Sequence, residues 1–208
     1  MIKQIIKIKK EKDEKKLMAN GIIEISFAGR GGQTAVSASE LLAKFAFENG
    51  FIDVFAIPII GAERRGAPIS AFTKISKEKP IKTYDSVLHP DYQFIFDTSL
   101  LEIPRIRESI KEGTILIINS KKPIDTTGLP ENLKIYIVDA TGICIEHRFM
   151  ISSGGILNIP MLAAFAKITG YYDLKVMDEV LKREFGEKRA ALNMKVAQDA
   201  YNSVKEVS

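Results

Sequence analysis

Cysteine is almost absent: Cys144 is the only one in 208 residues. No internal disulfide can form. A cysteine-ligated iron–sulfur cluster takes about four thiolates, so none can sit wholly on this chain. Histidine is nearly as scarce, with His89 and His147 alone, which argues against a histidine-rich metal site. No apolar run approaches the roughly 18 residues of a membrane-spanning helix, and no secretion signal opens the chain, so the cytoplasm is the default expectation. Basic excess is missing from the body as well. Residues 1–20 hold seven lysines against Glu11, Asp13 and Glu14, while residues 21–208 balance at 23 basic and 23 acidic. The formal charge of +4 therefore belongs to the head. The body lacks the clustered positive charge that a nucleic-acid surface needs.

What is present is an ordinary globular composition, 46% hydrophobic and 27% charged, with a length that fits one domain. The division expected is a charged N-terminal extension at 1–20 and a single domain at 21–208. The head alternates isoleucine and lysine before turning almost wholly charged; it reads as a solvated extension, an added edge strand, or a tail for an acidic partner. From Gly21 onward, strand and helix patterns alternate. Strands are expected at 22–28, 54–58, 69–75, 92–96, 114–118 and 134–138. The second face of 69–75 is expected to be wetter. A helix should run from Thr34 to Asn49 with Ala35, Ala38, Leu42 and Phe45 on its buried stripe. Pro104 suits the first turn of a short helix. The last third is helical: 159–169 closed by Gly170, a helix capped by Asp173, and 187–204 with Leu192, Val196, Ala200 and Val204 on one face. The fold class that follows is α/β, a three-layer Rossmann-like sandwich with a mostly parallel sheet and a helical C-terminal third.

Two loops carry the chemistry. After the first strand come Gly29, Arg30, Gly31, Gly32 and Gln33, then a helix. Glycines permit positive φ and close backbone approach, and free N–H groups at a helix start favour anions. The dinucleotide fingerprint fits poorly, because Thr34 stands where Gly or Ala is wanted and Asp53 begins the second strand instead of ending it. No Gly-Lys-Ser/Thr follows, so the phosphate loop of nucleotide triphosphatases is excluded. A packing turn, an anion contact and a loop buried against another subunit stay open. The second loop sets Glu63, Arg64 and Arg65 between Gly61 and Gly66. Adjacent arginines suit carboxylate or phosphate recognition, and an internal ion pair with Glu63 is the plain alternative. Elsewhere, His89 reads as a surface turn residue, His147 as a helix-surface residue and Cys144 as buried packing. Asp97 and Asn119 end strands, where open α/β sheets put ligand crevices; a polar cap on the sheet edge is the alternative. Lys74, Lys77, Lys79 and Lys82 read as a solvated charge run.

In order along the chain, GRGGQTAVSASELLAKFAF, GAERRGAPISAFTKIS, HPDYQFIFDTSLLE and the closing helices from Asn158 to Tyr201 resemble the gamma subunit of the pyruvate:ferredoxin oxidoreductase family. The resemblance spans about 22–201. It departs at Thr34, where the family often has glycine, and in the head. It implies a subunit that is not catalytic alone, within a complex that oxidatively decarboxylates a 2-oxoacid to acyl-CoA and reduces ferredoxin. Thiamine diphosphate and the [4Fe-4S] clusters are expected on partner subunits (alpha, beta, delta or fused equivalents). CoA is expected as co-substrate. Gly29, Arg30, Gly31, Gly32, Gln33, Arg64 and Arg65 are then candidates for CoA or subunit-interface contacts, with no catalytic or metal-binding residue. The isolated chain is expected to be able to form a homodimer. A stand-alone nucleotide- or CoA-binding α/β domain is the alternative reading.

Overall fold

A computed structural model describes residues 21–59 and 66–207. The three readings of the head, and the roles considered for Arg64 and Arg65, lie outside the described residues. The elements in chain order are β1 (Ile22–Arg30), α1 (Ala35–Glu48), β2 (Asp53–Pro58), β3 (Pro68–Ser76), β4 (Tyr92–Ile95), a 3-10 turn (Thr98–Glu102) and α2 (Pro104–Ser109). They continue with β5 (Ile115–Asn119), β6 (Lys134–Val138), α3 (Ala140–Glu146), β7 (Met150–Ile151), β8 (Gly154–Gly155), α4 (Asn158–Thr169), α5 (Leu174–Phe185), α6 (Glu187–Ser203) and β9 (Lys205–Glu206).

The main sheet has the order β2-β3-β1-β4-β5-β6-β9. β1, β4, β5 and β6 are mutually parallel. β3 runs antiparallel to both β1 and β2, and β9 antiparallel to β6. The strands are thus mostly parallel, with β3 and β9 reversed. Because β3 lies between β1 and β2, the second strand does not neighbour the first, and a dinucleotide ribose site at the end of β2 has no basis. Asp53 sits at the start of β2, where its carboxylate accepts the Ile81 N–H at 2.7 Å.

Each face of the sheet has its own core. On one, α1 and α4–α6 bury aromatic rings against the strands: Phe27 stacks on Phe94 at 4.6 Å between ring centres, and Phe165 of α4 lies 5.4 Å from Phe94. On the other, Ile95, Leu116, Ile118 and Ile137 pack beneath the 3-10 turn and α2. This is the three-layer arrangement expected. The helix boundaries follow local chemistry. Asp173 accepts the Val176 N–H at the start of α5. Gly170, at φ 66°, ends α4 in the left-handed region. Pro104 opens α2.

Three expectations are corrected. β3 has no wet face, since Ser70, Phe72 and Lys74 are all buried. Residues 77–91 strap across that face, with Tyr84 on the Phe55 ring and Val87 buried. Lys74 is accordingly not a solvated lysine: its ammonium pairs with Glu24 at 3.0 Å and Asp85 at 2.8 Å. Burial works against its charge, but those bonds outweigh it and hold the group protonated above the ordinary lysine range. On α6 the buried face is Ala190, Asn193, Val196, Ala197 and Ala200, and Leu192 lies off it, partly exposed.

Candidate functional site

The chain runs from β1 through α1 to the β2–β3 hairpin on one side of β1, and then from β3 across to β4 on the other side. The carboxyl ends of β1 and β4 therefore border the crevice where α/β sheets of this kind place ligands. Gly29 to Gln33 lie at the end of β1 and Asp97 at the end of β4.

The structure fills much of this crevice with the chain's own contacts. The Arg30 Nε donates to Asp97 at 3.1 Å, one terminal nitrogen to the Ser99 hydroxyl at 2.6 Å and the other to the Gly66 carbonyl at 3.1 Å. Arg30 is thus a three-way tie between the glycine loop, the turn after β4 and the stem of the arginine loop. Burial alone would raise the Asp97 carboxyl, but bonds from Ser99 and the Arg30 guanidinium hold it below the usual range. Peptide groups of the loop are engaged too. Gly31 N–H donates to Ala67, Gln33 N–H to Arg30, and Gly66 N–H to Gly31. The Arg30 N–H donates to the Gln33 side chain at 2.8 Å.

The glycines have steric reasons of their own. A Cβ on Gly29 would stand 2.7 Å from the Ala35 Cβ. Gly32 has φ 95°, and a Cβ there would meet Ser153 at 2.6 Å. Ser153 sits in the β7–β8 hairpin and donates its hydroxyl hydrogen bond to the Gly32 carbonyl at 2.9 Å. Sequence reasoning missed this hairpin as a cover for the loop. The signal was the run Ser152-Ser153-Gly154-Gly155, a turn composition. Thr34 has φ 61°. It occupies a conformation that favours glycine, and its hydroxyl accepts the Asn158 N–H at 3.0 Å. No side chain caps the N-terminus of α1.

The other singled-out residues disperse. Asn119 caps the carboxyl end of β5, an interior strand, donating to the Phe96 carbonyl and the Thr141 hydroxyl. His89 is exposed at the opposite, amino end of the strands. There it lines a recess of about 360 Å³ with Asp91, Lys111 and Lys134 among others. His147 ends α3, with its Nε2 2.6 Å from the Asp199 carboxylate on α6. Cys144 is fully buried, and burial pushes its thiol up to about 12. Among the described residues no group of three or more His, Cys, Asp or Glu is placed to hold a metal ion. No helix among them is long and apolar enough to cross a membrane.

Comparison with known proteins gives this arrangement its context. The family model "Pyruvate ferredoxin/flavodoxin oxidoreductase" matches residues 24–203. A pyruvate synthase subunit PorC from Methanothermobacter marburgensis is 40% identical over 184 residues, spanning 88% of this chain and 98% of that protein. A common gamma subunit of pyruvate/ketoisovalerate oxidoreductases from Thermococcus kodakarensis is 40% identical over 186 residues, spanning 87% and 96%. The crystal structure of the pyruvate oxidoreductase subunit PORC from Thermotoga maritima superimposes with a TM-score of 0.77 at 34% identity, covering 91% of this chain and all of that one. The match runs from β1 to the end of α6 and takes in both loops, and on that ground the chain belongs to the pyruvate ferredoxin/flavodoxin oxidoreductase family.

Proposed function

We infer that this chain is the gamma subunit of a multi-subunit 2-oxoacid:ferredoxin oxidoreductase, with pyruvate the first candidate substrate. The observation that carries the reading is its 40% identity, over nearly their whole lengths, to proteins named as pyruvate synthase and common gamma subunits. The complex oxidatively decarboxylates the oxoacid, forms acyl-CoA and passes electrons to ferredoxin. Thiamine diphosphate and the iron–sulfur clusters are assigned to partner subunits. The donor set of this chain supports that division, since a single buried thiol cannot supply a four-thiolate cluster. Among the described residues the polar groups of the carboxyl-end crevice are tied to one another, Arg30 to Asp97, Ser99 and Gly66, which supports a role in shaping and holding a surface.

Within that role the two loops divide the work. Gly29, Gly31, Gly32 and Gln33 set the close packing of β1, α1 and the β7–β8 hairpin, and Arg30 fixes Gly66 at the stem of the arginine loop. Arg64 and Arg65 carry the charge that reaches CoA phosphate or a partner carboxylate. The test is reconstitution. Partner subunits produced with and without this chain are assayed for CoA-dependent pyruvate oxidation, anaerobically. Loss of acyl-CoA formation without the chain supports the reading; full activity without it contradicts it. In the intact complex, reversing both charges (Arg64→Glu with Arg65→Glu) should raise the apparent KM for CoA. An unchanged KM would remove the CoA contact and leave the loop to subunit assembly.

A further inference from the structure

The two edges of the main sheet are built differently. At one edge, β9 is only Lys205–Glu206, short, charged and exposed. That is how proteins blunt an edge against unwanted pairing. At the other edge, β2 runs six residues from Asp53 to Pro58, and none of them is lysine or arginine. Among the described residues its only ladder is with β3, which leaves its outer side unpaired. Large apolar side chains surround this edge. Ile52 at its start is 56% exposed and Ile59 at its end 39%. Phe47, on the helix that covers β2, is 62% exposed, and Tyr84, against Phe55 on the opposite face, is 63% exposed. An open edge whose one charge, Asp53, is turned to the Ile81 N–H at its start, and which is flanked by apolar groups on both faces, is the pattern of a strand that is paired in the working protein.

We propose that β2 is a self-association surface, where two copies of this chain join edge to edge and continue the sheet from one molecule into the other. Unmet peptide groups of an edge strand are complementary to another extended strand, and a second copy supplies one that is open in the same way. A two-fold axis perpendicular to the sheet sets β2 antiparallel to itself. Residues opposite each other must then point to the same face. With the axis at Ala56, Phe55 lies opposite Ile57 on the Tyr84 side and Val54 opposite Pro58 on the α1 side, so the pairs within 54–58 are apolar, and Asp53 faces Ile59 beyond the strand. Pro58 lacks an N–H and limits the ladder to the residues before it. The contact does not depend on the oxidoreductase reading.

The test uses the full chain in analytical ultracentrifugation across about 1–100 µM. A concentration-dependent dimer is expected. Ala56→Lys should weaken it by at least about tenfold, because a lysine on the axis meets its own copy. Phe47→Glu leaves the strand untouched and should weaken it in the same direction, with unchanged melting as the folding control. Ala56→Cys gives the trapping experiment, because the only native thiol, Cys144, is fully buried. Paired Cα atoms in such a ladder lie about 5.5 Å apart, within disulfide range. Mild oxidation should link Ala56→Cys chains into a covalent dimer and leave the control Glu112→Cys monomeric. A monomer throughout the range overturns the proposal. So does a dimer indifferent to both edge variants, a dimer seen only after residues 1–20 are removed, or an Ala56→Cys crosslink that forms only to a different subunit.

Discussion

Gly29→Ala tests whether the glycine loop is built for packing. The Cβ added at Gly29 stands 2.7 Å from the Ala35 Cβ, about 1 Å inside ordinary carbon contact. Neither side can easily yield. β1 is held by ladders to β3 and β4. The first turn of α1 is held by the Ala38-to-Thr34 bond and by the Thr34 hydroxyl on Asn158. Overpacking of this kind costs ~2–3 kcal/mol. Ala35→Gly alone removes a fully buried methyl and places glycine in a helix, at ~1–2 kcal/mol. In the double variant the methyl has moved from one side of the contact to the other. The expected cost is only ~1 kcal/mol, a coupling of ~2–4 kcal/mol in favour of the pair. At roughly 2–4 °C per kcal/mol for a chain of this size, Gly29→Ala should melt about 5–10 °C below the parent, and the double variant within about 4 °C. Thermal melting followed by circular dichroism reads this directly. A Gly29→Ala chain that melts with the parent, or a double variant at the additive sum, would refute the packing account and return the glycine to ligand approach.

Two further outcomes follow from the charges at the amino end of the sheet. Asp91 is largely buried, and burial lifts its carboxyl to about 6, against the pull of the Glu24 N–H that it accepts at 2.8 Å; the Glu24 charge adds a smaller push upward. A raised folded value favours the protonated form. Its contribution to stability is therefore full below the unfolded carboxylate value near 3.8 and is lost as pH rises through about 6, by up to ~3 kcal/mol. Asp91→Asn should flatten urea-unfolding stability between about pH 4 and 6 and stabilise the chain at pH 7; a variant with the parent's pH profile would show that Asp91 is not the titrating group. Lys74→Met leaves Glu24 and Asp85 without their cation, yet both retain water contact. The expected loss is ~1–2 kcal/mol, below that of a fully buried pair, and no loss in urea unfolding would mean that Lys74 is held by packing alone.

Local signals were legible in the sequence wherever one residue decides a turn. Gly170 and Asp173 end and begin helices where their chemistry requires, and Pro104 opens α2. The α1 helix starts beside the glycines that precede it. Non-local pairing was not legible. Nothing in residues 53–76 announces that β3, not β2, will lie beside β1, since that depends on which edges meet after collapse. The same holds for Lys74. Its neighbours are lysines, so it reads as solvated, and only the strap that brings Asp85 across the sheet makes it a buried ion pair. On α6 the apolar pattern favoured Leu192, but the helix turns Asn193 and Ala197 inward, where small or hydrogen-bonded side chains fit against α4. The candidate loops stood out by composition. That Arg30 would be spent on Asp97, Ser99 and Gly66 required the ends of β1 and β4 to be placed side by side.

The most direct test of the central claim is affinity purification of the tagged chain from its native host under strict anaerobiosis, reading partner masses, iron and thiamine diphosphate. The account predicts larger partners carrying both cofactors, with CoA-dependent oxidation of a 2-oxoacid in the eluate. A chain recovered alone or only with copies of itself, free of iron and thiamine diphosphate, would contradict it.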